Sequence, residues 1–218
     1  MKPVLTVESL VIGAQHFCRM ISQENHVGLI GVTDGKAVGT YVEKKFQDYL
    51  SENYTVSVGS SARGIDLPGE NILTDIKVTS ITQPQSSCPF RNAEQKIFGL
   101  GYNLLVFVYK KTDTETACSL LITHCTFIEA SRTADYTTTK RLREMVRDGA
   151  IKDDIVGFLQ DRNVPGDEIV HSELAEEILA NVPEQGYLTM SNALQWRLQY
   201  TRAIALHNDV VGIINYEQ

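Results

Sequence analysis

An apolar run within residues 103–110, with the sequence Leu-Leu-Val-Phe-Val-Tyr at its centre, constrains the fold more than any other segment. Branched and aromatic side chains without polar alternation are typical of a buried strand. Residues 117–128 form a second extended pattern across the turn Thr112-Asp113-Thr114, and this spacing predicts a hairpin. The chain is therefore expected to fold around a sheet that contains a buried strand.

The segments before this hairpin have the order typical of a mixed α/β sheet. A Pro-Gly-Glu-Asn turn at residues 68–71 precedes the last of three extended segments. The periodicities predict helices over residues 5–23, 36–50 and 91–100, and extended segments over residues 55–58, 64–67 and 72–80. The order helix, three strands, helix, strand predicts an α/β fold with a mixed central sheet.

After about residue 138 the pattern becomes helical, which predicts two regions in the chain. Helices are expected over residues 140–149, 152–161, 172–180 and 190–206. We therefore expect a core with an N-terminal helix over residues 1–137 and a helical C-terminal region over residues 138–218.

The composition is that of an ordinary globular protein. The 218 residues are 43% hydrophobic and 22% charged, which excludes disorder, collagen and coiled coil for the chain as a whole. No apolar run approaches the roughly 20 residues that a membrane helix needs. The four cysteines have no CxxC spacing, so we expect reduced core residues in a cytoplasmic protein, and neither disulfides nor zinc.

The net charge of −7 does not exclude a nucleic-acid partner, because the charge is unevenly distributed. Residues 148–218 carry twelve acids and four bases, whereas residues 101–147 carry seven bases and five acids. Salt limits the reach of each charge to about 8–10 Å, so a local basic surface can bind DNA on an acidic chain.

The sequence Asp75-Ile76-Lys77 is the strongest chemical signal in the chain. Side chains alternate between the faces of a strand, so Asp75 and Lys77 are expected to share one face while Ile76 packs on the other. The preceding turn can bring Asp66 beside Asp75. Two adjacent carboxylates repel unless a cation lies between them, and hard oxygen ligands suit Mg²⁺ or Mn²⁺.

The acid-x-Lys pattern by itself is not specific. It occurs four times, and only the copy at residues 75–77 lies on a predicted strand that puts both charged groups on one face with another acid upstream. The alternative interpretation is a solvated edge strand with an ordinary ion pair between Asp75 and Lys77.

Residues 64–68 and 72–80, with the sequences Gly-Ile-Asp-Leu-Pro and Ile-Leu-Thr-Asp-Ile-Lys-Val-Thr-Ser, resemble the metal site of the PD-(D/E)XK nuclease superfamily. The surrounding sequence, over roughly residues 37–110, is similar to the αβββαβ core of a type II restriction endonuclease. The resemblance implies that Asp66 and Asp75 bind the metal and that Lys77 is catalytic. It also implies an acid from the preceding helix, matched by Glu43, whose alternative role is a solvated helix residue. Ile65 stands where the motif has proline.

The resemblance implies a site-specific double-stranded DNA endonuclease that hydrolyses phosphodiesters with Mg²⁺, with Mn²⁺ as a substitute. A homodimer is expected, because two-fold protein symmetry matches a palindromic site. The alternatives are a repair or junction-resolving nuclease of the same fold, and a non-catalytic DNA-binding protein.

Two segments near this motif are candidate DNA contacts. Lys36 precedes a helix N-terminus, where backbone N–H groups attract phosphate, although a solvated loop explains it as well. A predicted loop after the catalytic strand carries groups that pair with base edges or phosphates, and its alternative role is a helix cap. The candidates in this loop are Gln83, Gln85, Ser86, Ser87, Arg91 and Asn92.

The C-terminal region contains two further candidate DNA-binding features. The predicted helices 172–180 and 190–206 are compatible with a helix-turn-helix, or with a packing helix that has one solvated face. The polar face of the second helix would present Asn192, Gln195, Gln199 and Arg202. A basic cluster of Arg132, Lys140, Arg141, Arg143 and Arg147 is equally consistent with phosphate contact and with an ordinary charged helix face.

Overall fold

The computed structural model of the chain describes residues 2–57, 59, 64–89, 92–191, 195–207 and 209–218. Its strands are β1 (Thr74–Ser80), β2 (Gln85–Pro89), β3 (Asn103–Asp113), β4 (Cys118–Ile128), β5 (Thr189–Met190), β6 (Gln195–Gln199) and β7 (Ile213–Glu217). Its helices are α1 (Val7–Ser22), α2 (Gly35–Asn53), α3 (Glu94–Phe98), α4 (Tyr136–Arg147), α5 (Lys152–Asp161), α6 (Glu168–Ala180) and α7 (Thr201–Ile204). In the described part of the chain, no helix combines the length and the apolar character needed to cross a bilayer.

The chain divides into two compact units. The first consists of Met1–Gln85, Tyr102–Ile128 and Ile204–Gln218, and the second of Ser86–Gly101 and Glu129–Ala203. This division does not follow the expected boundary between residues 137 and 138, because β7 returns to pair with β4 in the first unit.

The first unit contains the expected mixed sheet, in the order β1-β3-β4-β7. β1 pairs parallel with β3, and the hairpin of β3 and β4 is antiparallel, as predicted. Helices α1 and α2 pack on one face of this sheet, where the rings of Phe17, Phe46 and Phe107 lie 4.9–5.7 Å apart. The fold class is therefore confirmed.

Of the three extended segments predicted before β3, those over residues 55–58 and 64–67 form single bridges instead of full strands. Thr55 forms a single bridge to Val4, and Leu67 forms a single antiparallel bridge to Thr74. Pro68 follows Leu67 and has no N–H to donate, and the chain then turns at Gly69, whose carbonyl accepts from the N–H of Ile72 at 2.9 Å. The pairing therefore stops after one residue.

The second unit packs its helices around an apolar core and also contains a small sheet. The core residues include Ile97, Leu142, Ile155, Leu159 and Ile178. The sheet has the order β2-β6-β5, so part of the predicted loop 83–92 is strand β2, and the predicted helix 91–100 is reduced to α3.

The predicted helix 190–206, and with it the helix-turn-helix, is wrong. Gln195 and Gln199 lie on strand β6 and Arg202 on the short α7, whereas Asn192 lies outside the described residues. The sequence from Arg197 to Tyr200 alternates between exposed and buried residues, which is the period of a strand. The helical spacing of four polar residues concealed this alternation.

Gly186 provides a test of the packing in the second unit. A Cβ atom at this position would lie 2.2 Å from the carbonyl oxygen of Ala134, whereas a Cβ at Gly157 in α5 would meet nothing within 4 Å. Gly186→Ala is therefore expected to lower the free energy of unfolding by about 1–3 kcal/mol. Gly157→Ala is expected to raise it by about 0.5–1 kcal/mol, because alanine favours helix. Urea unfolding measures both, and equal stability of the two variants would contradict this packing.

Candidate active site

Strand β1 places Asp75 and Lys77 on one face, as the pleat of a strand requires. The Lys77 Nζ lies 2.6 Å from Asp75 Oδ2. The side chains of Ile76 and Val78 point to the opposite face and join the core beneath α1 and α2. Asp75 is buried, with 5% of its surface exposed, so this ion pair is not an ordinary solvated pair.

Asp66 is held at the outer edge of the same strand. β1 is an edge strand, so alternate backbone N–H groups need partners outside the sheet. The bridge from Leu67 to Thr74 aligns the segment, and the N–H of Ile76 then donates to Asp66 Oδ2 at 2.8 Å. This hydrogen bond places the carboxylate of Asp66 next to that of Asp75, the two being close enough to share a hydrogen bond.

Glu43 reaches the site from helix α2. The helix approaches β1 closely at Gly39, where a Cβ atom would lie 3.6 Å from the carbonyl oxygen of Val78. Glu43 is one turn after Gly39, on the same helix face, and it lies within hydrogen-bonding reach of Asp66. Gln47, a further turn on, donates from Nε2 to Glu43 Oε1 at 3.3 Å.

Burial and neighbouring carboxylates both raise the pKa values of Asp75 and Glu43 in this cluster. Burial raises the pKa of Asp75 to about 7, and the hydrogen bond with Asp66 adds to this while Lys77 opposes it. Burial, and then the negative charge of Asp66, raises the pKa of Glu43 to about 7. Lys77 offsets only part of this cost of ionising buried carboxylates, and a bound cation would favour their charged forms further.

The donor set fits a hard divalent cation. Among the described residues, no group of three or more His, Cys, Asp or Glu side chains is arranged as a complete metal site. Mg²⁺ is usually held by one or two carboxylates together with waters and substrate phosphates, and does not require a cage made only of protein. The adjacent carboxylates of Asp66 and Asp75 match this type of site.

The DNA contacts predicted near strand β1 lie in different segments and differ in solvent exposure. Lys36 is exposed in the first turn of α2, and its N–H donates to the capping side chain of Asp34 at 3.0 Å. Gln83 is exposed and Gln85 is half-buried, and the carbonyls of both accept hydrogen bonds from the Thr79 hydroxyl. The side chains of Lys36 and Gln83 are therefore accessible from solvent.

The remaining loop candidates belong to β2 and the start of α3. The Ser86 hydroxyl lies 2.5 Å from the hydroxyl of the buried Tyr200, and Ser87 is exposed. The Asn92 side chain accepts from the N–H of Gln95 at 3.2 Å, as a helix cap does. Arg91 lies outside the described residues.

The basic cluster mainly forms contacts within the protein. Arg132 pairs with Glu184 at 2.8 Å, and Arg147 with Asp148 at 3.0 Å. Arg143 donates to the carbonyl of Pro183, and Arg141 pairs with Glu144 at 3.5 Å. These contacts favour an ordinary charged surface.

Gln47 is a site residue that the sequence interpretation missed. The available signal was its spacing of four positions from Glu43, which places the two side chains on one face of a helix. This signal is weak, because it becomes informative only when Glu43 is known to face the carboxylate cluster.

Comparison with known proteins connects this geometry to a family. The family model of the type II restriction enzyme NspV matches residues 4–215. The type II restriction enzyme NspV of Nostoc sp. is 52% identical over 213 residues, which cover 97% of this chain and 96% of that protein. The crystal structure of tetrameric restriction endonuclease SfiI bound to cognate DNA has a TM-score of 0.38 and 12% identity, covering 100% of this chain and 89% of that one.

The match to NspV extends over almost the whole chain and decides between the functions considered from the sequence. A repair nuclease and a non-catalytic DNA-binding protein are not supported, whereas a site-specific endonuclease is. The chain belongs to the NspV family of type II restriction enzymes and is a site-specific DNA endonuclease.

Proposed function

We propose that the chain cuts double-stranded DNA by Mg²⁺-dependent phosphodiester hydrolysis, and that Asp66, Asp75, Lys77 and Glu43 form its active site. The observation that carries this proposal is the convergence of three carboxylates and one lysine at the edge of β1. Mn²⁺ is expected to substitute for Mg²⁺, because it accepts the same oxygen ligands.

Each residue has a distinct role at this site. Asp66 and Asp75 would hold the cation, which when bound lowers the pKa of a water ligand and neutralises charge on the phosphate. The Lys77 ammonium, held 2.6 Å from Asp75, orients the attacking water and stabilises the negative charge that develops on the phosphorus oxygens. Glu43, with a pKa of about 7, accepts a hydrogen bond from that water.

Plasmid digestion tests the metal requirement. Discrete fragments are expected with Mg²⁺ and with Mn²⁺, and none with EDTA. Cutting that persists in EDTA after dialysis against a chelator would contradict a metal-dependent site.

Gln47 is expected to act as a positioning residue for Glu43. Gln47→Leu removes a hydrogen bond worth about 1 kcal/mol and should lower kcat/KM for target cleavage about five-fold. Gln160→Leu, at an exposed position on α5, provides the matched control and should cut normally. Normal cutting by both variants would show that Glu43 needs no support from Gln47.

The active form is proposed to be a homodimer. Each chain provides one carboxylate cluster of this kind in its described residues, and two chains related by two-fold symmetry would present one cluster to each strand of a palindromic site. Residues 138–218 are proposed to provide target contacts or the dimer interface. Sedimentation with a target duplex should give two chains per duplex, and a fully active monomer would contradict the proposal.

A further inference from the structure

Residues 185–208 are unusual within the acidic C-terminal third of the chain. Residues 148–218 contain twelve acids, yet none lies between Glu184 and Asp209. Two of the four bases in the same third, Arg197 and Arg202, lie inside this acid-free stretch. The local charge is therefore positive, which favours contact with a polyanion.

Strands β5 and β6 in this stretch form an antiparallel pair within the sheet β2-β6-β5, in which β6 is the central strand and β5 lies at the edge. Thr189 lies opposite Gln199, and Met190 lies opposite Leu198. Ser191 extends the pairing, since its N–H donates to the carbonyl of Arg197 at 3.3 Å and its Oγ accepts from the N–H of Arg197 at 3.0 Å. Residues 189–191 and 197–199 are therefore two paired arms, which we call the recognition ribbon.

One face of the recognition ribbon is apolar and buried, and the other is polar and exposed. Met190 and Leu198 are buried, whereas Thr189, Arg197 and Gln199 are exposed. Hydroxyl, guanidinium and amide groups are the side-chain groups that pair with base edges. The exposed face has no acidic side chain in either arm, so nothing on it repels phosphate.

Two buried charged residues anchor the recognition ribbon. The N–H of Met190 donates to Asp135 Oδ2 at 2.9 Å, and Lys96 Nζ donates to the carbonyl of Met190 at 2.9 Å. Asp135 and Lys96 are only 4% and 5% exposed. Burying two charges costs free energy, and in return it holds one backbone position in a single arrangement.

Arg202 is held beside the base of the recognition ribbon. Its guanidinium carbon lies 3.8 Å from the centre of the Tyr136 ring, and the Tyr136 N–H donates to the carbonyl of Leu188, next to Thr189. Stacking occupies the flat face of a guanidinium and leaves its in-plane N–H groups for a guanine or a phosphate.

We propose that the recognition ribbon enters the major groove of the target DNA, where Arg197 and Gln199 contact base edges and Arg202 provides an adjoining contact. Sheet-based DNA readers place strands in the major groove, and arginine and glutamine pair bidentately with guanine and adenine. This inference rests on the proposed double-stranded DNA substrate and adds the element that selects the sequence.

The test compares cleavage of the target, mapped with the wild-type enzyme, with cleavage of sites that carry one substituted base pair. Arg197→Ala and Gln199→Ala are each expected to lower the rate of target cleavage about 5- to 150-fold. Each should also reduce the ratio of the cleavage rate at the target to the cleavage rate at substituted sites. Arg197→Lys keeps the charge but not the bidentate geometry, so it should lose discrimination while binding non-target duplex in EDTA as the wild type does.

Arg162→Ala is the matched control, because Arg162 is also exposed and stacks on an aromatic ring, that of Phe158, outside the recognition ribbon. Arg162→Ala should leave the ratio of target to substituted-site cleavage rates unchanged. Melting temperatures verify that each variant is folded. The inference would be overturned if the ribbon variants kept the wild-type ratio of cleavage rates, including the case in which cleavage falls equally at all sites. Failure of the catalytic proposal would be a different result. Asp75→Asn would then cut normally, and the ratio of target cleavage to substituted-site cleavage in the ribbon variants would be unaffected.

Discussion

Asp75→Asn is expected to lower DNA cleavage by at least about 10²- to 10³-fold, and Lys77→Met is expected to do the same. The asparagine has almost the same shape as the aspartate but lacks the charge that binds Lys77 at 2.6 Å and that would hold the cation. Lys77→Met keeps the length of the side chain and removes the ammonium. Single-turnover cleavage of a target duplex measures the chemical step in both variants without a contribution from product release.

Asp34→Asn provides the matched control for the motif. Asp34-Gly-Lys36 has the same acid-x-Lys spacing, but Asp34 caps α2, and asparagine caps a helix equally well. This variant should cut at the wild-type rate. If Asp75→Asn retained a tenth or more of the wild-type rate in folded protein, the assignment of the active site to β1 would be wrong.

The second large effect is expected on the stability of the protein without metal. Asp75 has a pKa of about 7 in the folded state against an ordinary value of 3.8. The folded state therefore binds more protons than the unfolded state between these values, and stability falls as the pH rises through this window. We expect Asp75→Asn to stabilise the metal-free protein, by an amount that grows by about 2 kcal/mol between pH 5 and pH 8.

Denaturant unfolding in EDTA at pH 5 and at pH 8 measures this difference. Glu43→Gln should change stability in the same direction with a smaller effect, because Glu43 is partly exposed to solvent. A stability gain for Asp75→Asn that is equal at the two pH values would show that the pKa of Asp75 is not raised in the folded state.

Addition of a divalent cation should reproduce part of this stabilisation in the wild type. A ligand that binds only the folded state raises its stability by mass action. The melting temperature of the wild type at pH 8 should therefore rise with Mg²⁺, and that of Asp75→Asn should rise much less. Equal increases in melting temperature for the two proteins would show that the cation binds at another site.

Some of the structure followed from short stretches of sequence. The period of two along residues 74–80 was sufficient to place Asp75 and Lys77 on one face, because the pleat depends only on the local backbone. The buried run at the centre of β3 was sufficient to predict the hairpin with β4, but the turn lies at residues 114–117, because Thr112 and Asp113 of the predicted turn pair with Ser119 and Cys118 in the strands. Helix α5 occurs at the predicted positions 152–161.

Other features depended on contacts between distant segments. Asp66 is placed by the edge N–H of Ile76, and β7 joins the sheet from the far end of the chain. Residues 195–199 carry both a helical and a strand-like spacing, and pairing with β2 and β5 stabilises the strand. The sequence by itself therefore determined the α/β class and the face shared by Asp75 and Lys77, since both arise from local periodicity. Only the tertiary structure decided how Asp66 and Glu43 approach that face and which strands complete the sheets, because hydrogen bonds between distant segments have no local pattern.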